Sequence, residues 1–388
     1  MLEFKLPTFT KPISPSVKVS DNLKSKYPLI RLNDSKKFNL KIGKRIVANQ
    51  LIENGSYPVY SANVKEPFGY INELLITDFT KDSVLWGIDG DWMVGYIPNS
   101  IPFYPTDHYG IIRIMTDEID AYYLSMVLEK VGALHGFSRT YRASTERIAS
   151  LQIPLPPLDI QQKIVDECKK VDEEVTKAKK YLDDSKSAID AVILPCFDKY
   201  KKVVLKSICD SFEYGTSEKS STSGAVPVLR MGNIVDGTID WNDLVYTDNE
   251  QDIEKLSLRK GDVLFNRTNS PVHVGKTALY ENDRSAIFAG YLVRVNYRKD
   301  AIKGKYLSYI LNSNPIMQHG FSVMVRSINQ ANISASLLAQ YEIPLPSLKD
   351  QDEIISKLEV IENNKKQSKS IITNASVQKQ AILDKYLK

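Results

Sequence analysis

Arg139-Thr140-Tyr141-Arg142 sets two guanidinium groups and a phenol within four residues. Such a cluster can pair with guanine edges, grip phosphate and lie against a sugar. A second segment, Asn266-Arg267-Thr268-Asn269-Ser270, offers amides, hydroxyls and one guanidinium, a set suited to adenine and guanine in a major groove. Arg326, Ser327, Asn329 and Gln330 form a third group. Asn54 with Tyr57, the run Asp89-Gly90-Asp91-Trp92, and Arg230 with Asn233 complete the candidates. Each has a plainer explanation: a surface loop with ordinary salt bridges, or a turn braced by Asn and Ser side chains.

The chemistry of catalysis is harder to find. Val274-Gly275-Lys276-Thr277 resembles the end of a phosphate-binding loop, but Ser270 stands where the upstream glycine is required. His108, His135, His273 and His319 show no metal-ligand spacing, and no G-x-S-x-G elbow is present. Neither a G-x-G-x-x-G dinucleotide loop nor an NPPY-type quartet of a base methyltransferase occurs. The sequence therefore predicts no catalytic residue, no metal and no cofactor in this chain.

Stepping outward, the elements that would position the candidates repeat themselves. Ile153-Pro154-Leu155-Pro156 returns as Ile343-Pro344-Leu345-Pro346, and Gln161 and Ile164 return as Gln351 and Ile354, 190 residues on. Upstream, Val84-Leu85 aligns with Val263-Leu264, Ile112-Arg113-Ile114 with Val293-Arg294-Val295, and Tyr123-Leu124-Ser125 with Tyr306-Leu307-Ser308. A collinear series of this kind predicts two copies of a domain-plus-helix unit. The boundaries are an N-terminal arm 1–37, a domain 38–152, a helical region 153–200, a domain 201–342 and a helical region 343–388.

Both domains carry short apolar runs separated by Gly, Pro, Asn and Asp, the pattern of small strand-rich mixed α/β folds. The helical regions read differently. Ile164, Cys168, Val171, Val175, Ala178, Leu182, Ser185, Ile189 and Val192 keep an unbroken 4-3 spacing, a heptad seam on a helix from about 160 to 194. The second copy gives Ile354, Leu358, Ile361, Lys365, Ser368, Ile372, Ala375, Lys379 and Ile382. Asp159 and Asp350, with Gln162 and Glu353, predict capping boxes at the two starts. A lone helix cannot bury such a seam. The mate is the other copy, in an antiparallel pair, or the same seam of another chain in a homodimer.

Composition sets the remaining bounds. With 43% hydrophobic and 25% charged residues, the 388-residue chain fits two soluble domains. No apolar run is long enough for a membrane span, and the first residues lack the core of a signal peptide. Cys168, Cys196 and Cys209 form no evident pair, which suits a reducing cytoplasm. A net charge of +4 neither demands nor excludes nucleic acid. All 13 arginines lie outside 151–200 and 341–388, whereas 16 of 38 lysines lie inside. Arginine is the better bidentate reader, so the domains look like contact surfaces and the helices like a solvated frame.

The doubled I-P-L-P-x-L-x-x-Q-x-x-I, each followed by a heptad helix and preceded by a variable strand-rich domain, resembles the specificity (S) subunits of type I restriction–modification enzymes. The resemblance covers nearly the whole chain. It implies an α+β chain of two pseudo-repeated target-recognition domains joined by two long helices in an antiparallel coiled coil. It implies a non-catalytic subunit that reads a bipartite, asymmetric site in duplex DNA, one half-site per domain. The partners implied are two methyltransferase (M) subunits, which would bind S-adenosylmethionine, with restriction (R) subunits as an ATP-using addition. The outward faces of the helices, with Lys169, Lys170, Lys179, Lys180, Lys365 and Lys366, would meet those partners. The N-terminal arm would lie near the C-terminal helix. Two unlike blocks with centres roughly 10–15 base pairs apart are the expected target. The competing reading is a structural protein that dimerises through its helices and binds a protein or carbohydrate.

Overall fold

The computed structural model describes residues 23–61, 63–76, 78–271, 273–326 and 330–388. Their helices are, in chain order, α1 (Ala121–Leu134), α2 (Thr145–Ser150), α3 (Leu158–Lys199), α4 (Glu250–Leu256), α5 (Gly304–Leu311), α6 (Asn314–Val323), α7 (Ala335–Leu338) and α8 (Leu348–Leu387). The chain divides into two compact units. The second is Lys177–Ile372, and the first takes the residues on either side, so each long helix contributes to both.

In the first unit Phe38–Ile42, Tyr109–Ile114, Ser83–Gly87 and Val94–Ile97 form a four-stranded antiparallel sheet in that order. Ser83–Gly87 and Tyr109–Ile114 are buried at every position, as central strands covered on both faces must be. Tyr123, Leu124, Val127 and Val131 of α1 share a core with Val84, Trp86 and Ile112. Asp120 caps α1 by accepting from the Tyr123 amide. A smaller sheet sets Tyr57–Tyr60 between Gly69–Ile71 and Tyr104–Pro105, the latter pair parallel.

The second unit repeats this plan with Cys209–Tyr214, Leu292–Tyr297, Val263–Asn266 and Thr277–Leu279, beside Val245–Thr247, Val226–Leu229 and Ile287–Phe288. Individual hydrogen bonds match. The Gly43 amide meets the Tyr109 carbonyl as that of Gly215 meets Leu292, and the Ile88 amide meets His108 as that of Arg267 meets Tyr291. These matches correct one sequence alignment. Trp86 opposes Gly110 as Phe265 opposes Val293, so Ile111, not Arg113, is the counterpart of Arg294. A two-residue slip keeps every side chain on its own face, which is why the sequence pattern could not expose it.

The repeated Pro-punctuated segment joins domain to helix in the same way twice. Gln152–Pro154 pairs antiparallel with Leu29–Arg31, and Glu342–Pro344 with Lys202–Val204. The Tyr123 hydroxyl donates to the Pro154 carbonyl at 2.8 Å, and that of Tyr306 to Pro344 at 3.0 Å. Gln161 is fully buried; its amide donates to the Glu118 and Pro156 carbonyls and accepts from the Asp120 amide. Gln351 makes the same three bonds with Ala301, Pro346 and Lys303.

The helices start and stop differently from the sequence expectation. Pro157 and Ser347 supply the carbonyls that accept the first amides, and the Ser347 hydroxyl accepts from the Asp350 amide. Asp159 and Asp350 therefore lie inside the first turn, not at the cap, where they still favour the helix dipole. Nor does α3 end near 194. It runs through Pro195 to Lys199, because the residue whose carbonyl loses its partner, Ala191, faces solvent.

The seam is real. Ile164, Val171, Val175, Leu182 and Ile189 of α3 are all buried or half-buried, as are Ile354, Leu358, Ile361, Ile372 and Ile382 of α8. In the first unit Ile164, Val165 and Cys168, early in α3, share a core with Leu383 and Leu387 at the end of α8. In the second unit Ile193 and Cys196, late in α3, meet Ile354, Ile355 and Leu358 at the start of α8. The pairing is antiparallel and lies within one chain. Polar seam positions are satisfied: Lys379 reaches Asp172 at 2.5 Å, and Lys365, half-buried and not outward-facing, binds Glu362 at 2.9 Å. The described part of the N-terminal arm meets the helix end, where the Lys26 amide donates to the Leu387 carbonyl at 2.8 Å.

Glu167 fixes that helix end by accepting from Lys385 and from the Tyr386 hydroxyl, both at 2.6 Å. The Lys385 and Tyr386 hydrogen bonds hold its carboxyl below the usual glutamate range. A depressed folded-state value means the contribution is present above the ordinary glutamate pKa and is lost as pH falls through the lowered one. Amide protection in the last turn of α8, taken relative to the intrinsic exchange rate at each pH, should therefore fall below that pH in the native chain. In Glu167→Gln the protection should already be lower at neutral pH and nearly constant with pH. Equal profiles would remove this role.

Candidate nucleic-acid interface

In the first unit two candidate loops are tied together. The Ala143 amide donates to the Ile88 carbonyl, and the Trp86 indole donates to the Ala143 carbonyl at 2.9 Å. Across this junction Arg142 donates through Nε to Asp89, whose other oxygen is bound by His108 Nδ1. The Arg142 hydrogen bond is the main cause that lowers the Asp89 carboxyl below its ordinary range. Arg139 lies 3.9 Å from Asp91, with both side chains exposed.

Other candidates here turn out to be scaffold. Trp92 donates its indole N–H to the Glu129 carbonyl at 2.7 Å and packs on Phe137, so its one polar handle is spent inside the domain. The Tyr141 ring stacks on Phe137 and carries the Arg147 guanidinium 4.2 Å from its centroid, which leaves it little room for a sugar. Asn54 is exposed and Tyr57 half-buried, on the smaller sheet. Among the described residues no hydrogen bond joins them to the Asp89–Arg142 cluster.

The second unit gathers its candidates on a small sheet in which Thr268–Asn269 pairs with Ala331–Asn332, and that pair with Val325–Arg326. Arg326 is exposed beside Phe321, at 4.2 Å from the ring centroid, and Gln330 is exposed. Asn329 lies outside the described residues. Next to this sheet is a recess of about 480 Å³ lined by Arg230, Asn233, Asp243, Asn269, His273 and Lys276.

Several side chains point inward instead. Asn266 is fully buried and spans the Met231 and His273 carbonyls. Asn233, also buried, braces its turn through the Arg230 amide and the Asp240 and Asn242 carbonyls. Thr268 is buried and accepts from the Asn332 amide at 2.7 Å. Arg267 is half-buried, donates to Gly290 and Asn332, and lies 4.8 Å from the Tyr214 ring centroid. These four hold the loops in place. A strand end exposes alternate residues, and the sequence alone did not fix which.

Two features escaped the sequence reading. His108 and Asn332 become partners of Asp89 and of Thr268 only through contacts between residues 19 and 64 positions apart. The repeat itself carried the signal: matched backbone bonds make Asp89 the counterpart of Thr268, and Arg142 that of Asn332. The cross-loop link is ionic in one unit and neutral in the other.

Comparison with known proteins gives this doubled architecture a family. The family model described as type I restriction modification DNA specificity domain matches twice, over residues 30–182 and 198–374. The chain belongs to that family. The two matches of the specificity domain correspond to the two copies seen in the fold. Among similar proteins, the putative type I restriction enzyme MjaX specificity subunit of Methanocaldococcus jannaschii is 31% identical over 163 residues, covering 41% of this chain and 38% of that one. The EcoKI specificity subunit of Escherichia coli strain K12 is 26% identical over 170 residues, covering 42% and 36%. The chain thus spans well under two thirds of these relatives' length in each match. The solved S subunit of a type I restriction-modification system from M. genitalium superposes with a TM-score of 0.59 at 13% identity, covering 95% of this chain and 97% of that one. A chain from a study of complex assembly in the type I R-M system gives 0.56 at 16%, covering 93% and 97%. At those identities the likeness concerns the fold.

Proposed function

We propose that this chain is the DNA-reading, non-catalytic subunit of a type I restriction–modification enzyme. Its domains 38–152 and 201–342 each read one half of a bipartite target in duplex DNA. The observation that carries the reading is the doubled match to a DNA specificity domain on two units whose equivalent loops present different side chains. Two copies with unlike readers escape the palindrome that true twofold symmetry would impose.

Arg139, Arg142, Arg326 and Gln330 are exposed for contact, and the half-buried Arg230 and Asn269 join them from the recess with His273 and Lys276. The helices act as spacer and as docking surface for two methyltransferase subunits. Lys169, Lys170, Lys179, Lys180 and Lys366 are exposed for that purpose. S-adenosylmethionine and ATP belong to the partner subunits, and the cytoplasm is where all would meet DNA. The homodimer reading has less motive, since both ends of the seam are packed against the same chain.

The test is selection of bound duplexes from a random pool by the full chain, alone and with an adenine methyltransferase subunit. Enrichment of two short, unlike blocks at a fixed gap is expected. Recovery of unenriched sequence would remove the proposal.

A further inference from the structure

Resting on the DNA-reading assignment above, we propose that Arg142 reads a guanine in the half-site of the first unit and that Asp89 is its positioning residue. Three observations carry this. The backbone around Arg142 is fixed from both sides: Ala143 is held by Ile88 and Trp86, and Arg147 donates to the Arg142 carbonyl at 2.7 Å while stacking on Tyr141. The loop therefore brings its side chain to one place without ordering cost on binding.

Next, the guanidinium is held through Nε alone. Among the described residues its terminal nitrogens make no hydrogen bond, and the side chain is 59% exposed. A fork anchored at Nε presents its two terminal N–H groups end-on, the geometry that meets guanine O6 and N7 together. Asp89 is only 23% exposed and is itself held by His108, so the anchor is stiffer than the reader. Pairing with a carboxylate also cancels the charge that would draw a free arginine to phosphate.

Last, the repeat supplies a contrast. The same structural position in the second unit carries Asn332, held by Thr268 and Arg267. The arginine there, Arg267, lies on the opposite loop, at the counterpart of Ile88, and is bound inward. An oriented, outward guanidinium at this position is thus a property of the first unit.

The experiment is selection from a random duplex pool by the full chain, comparing the native protein with Arg142→Ala, Arg142→Lys and Asp89→Ala. The native motif should contain an invariant guanine in one block. Arg142→Ala should lose preference at that position by roughly 5- to 100-fold and leave the other block intact. Arg142→Lys keeps charge and stem but not the fork, so it should lose the same preference and retain binding to unrelated DNA. Asp89→Ala should weaken the same preference while tightening binding to unrelated DNA, since it frees a cation; a merely structural carboxylate would weaken both. A native motif that all three variants reproduce overturns this inference and leaves the DNA-reading assignment standing. So does Arg142→Lys with unchanged preference. A native chain that enriches no motif overturns both.

Discussion

Substituting leucine for Gln161 is expected to destabilise the first unit by about 3–5 kcal/mol, although leucine nearly matches its volume. Gln161 is fully buried and makes three bonds: two donated to carbonyls, one accepted from the Asp120 amide. Leucine would strand all three groups, each costing about 1–3 kcal/mol when unsatisfied. Water reaches the half-exposed side of Asp120 and offsets part of the sum. For a unit of this size each kcal/mol lowers the melting temperature by about 2–4 °C. Calorimetry should show the first unit's transition lowered by about 6–20 °C. Gln351→Leu should do the same to the second unit and leave the first unmoved. A loss under about 1 kcal/mol in both would mean the three bonds are not what locks domain to helix.

Alanine at Gly43 or Gly215 should be worse. A Cβ on Gly43 would lie 2.0 Å from the Pro105 carbonyl oxygen, and one on Gly215 would lie 2.2 Å from that of Phe288. Both obstacles are backbone, and both belong to the parallel strand pairs that close the smaller sheets. Neither can yield without breaking the adjoining bonds of Lys44 and Thr216 to those same carbonyls. Overpacking a well-fitted site costs about 1–3 kcal/mol where it can relax, and more where it cannot. We expect at least about 3 kcal/mol for each, seen as insoluble protein or an early denaturant midpoint. Gly232→Ala is the control: nothing stands within 4 Å of its Cβ, and stability should change by under about 0.5 kcal/mol. Tolerated alanine at 43 and 215 would contradict the close approach.

The first of these predictions falls on a feature the sequence half disclosed. The recurrence of Gln161 as Gln351 was legible, but its purpose was not. Nothing in a linear reading says that a glutamine one turn into a helix is buried against a loop 41 residues upstream. The heptad spacing was legible, because a period of 3.5 is a property of the chain itself. The capping residues were read two and three residues late, since Pro157 and Ser347 look like lead-in until the backbone bonds are seen. Among the candidate readers, Arg139, Arg142 and Arg326 are exposed, whereas Asn233, Asn266 and Thr268 are buried. Composition selects residues able to bind DNA; only the twist of a loop decides which of them face out.

The proposed function gives the paired helices the role of spacer between two unlike readers. It is tested most directly by duplex selection with the full chain and with a shortened chain lacking residues 176–182 and 369–375. Those cuts remove one heptad from each helix and preserve the seam, shortening the rod by about 10 Å. The same two blocks are expected with a gap reduced by about 3 base pairs at 3.4 Å each. The same blocks at an unchanged gap would rule out the spacer role.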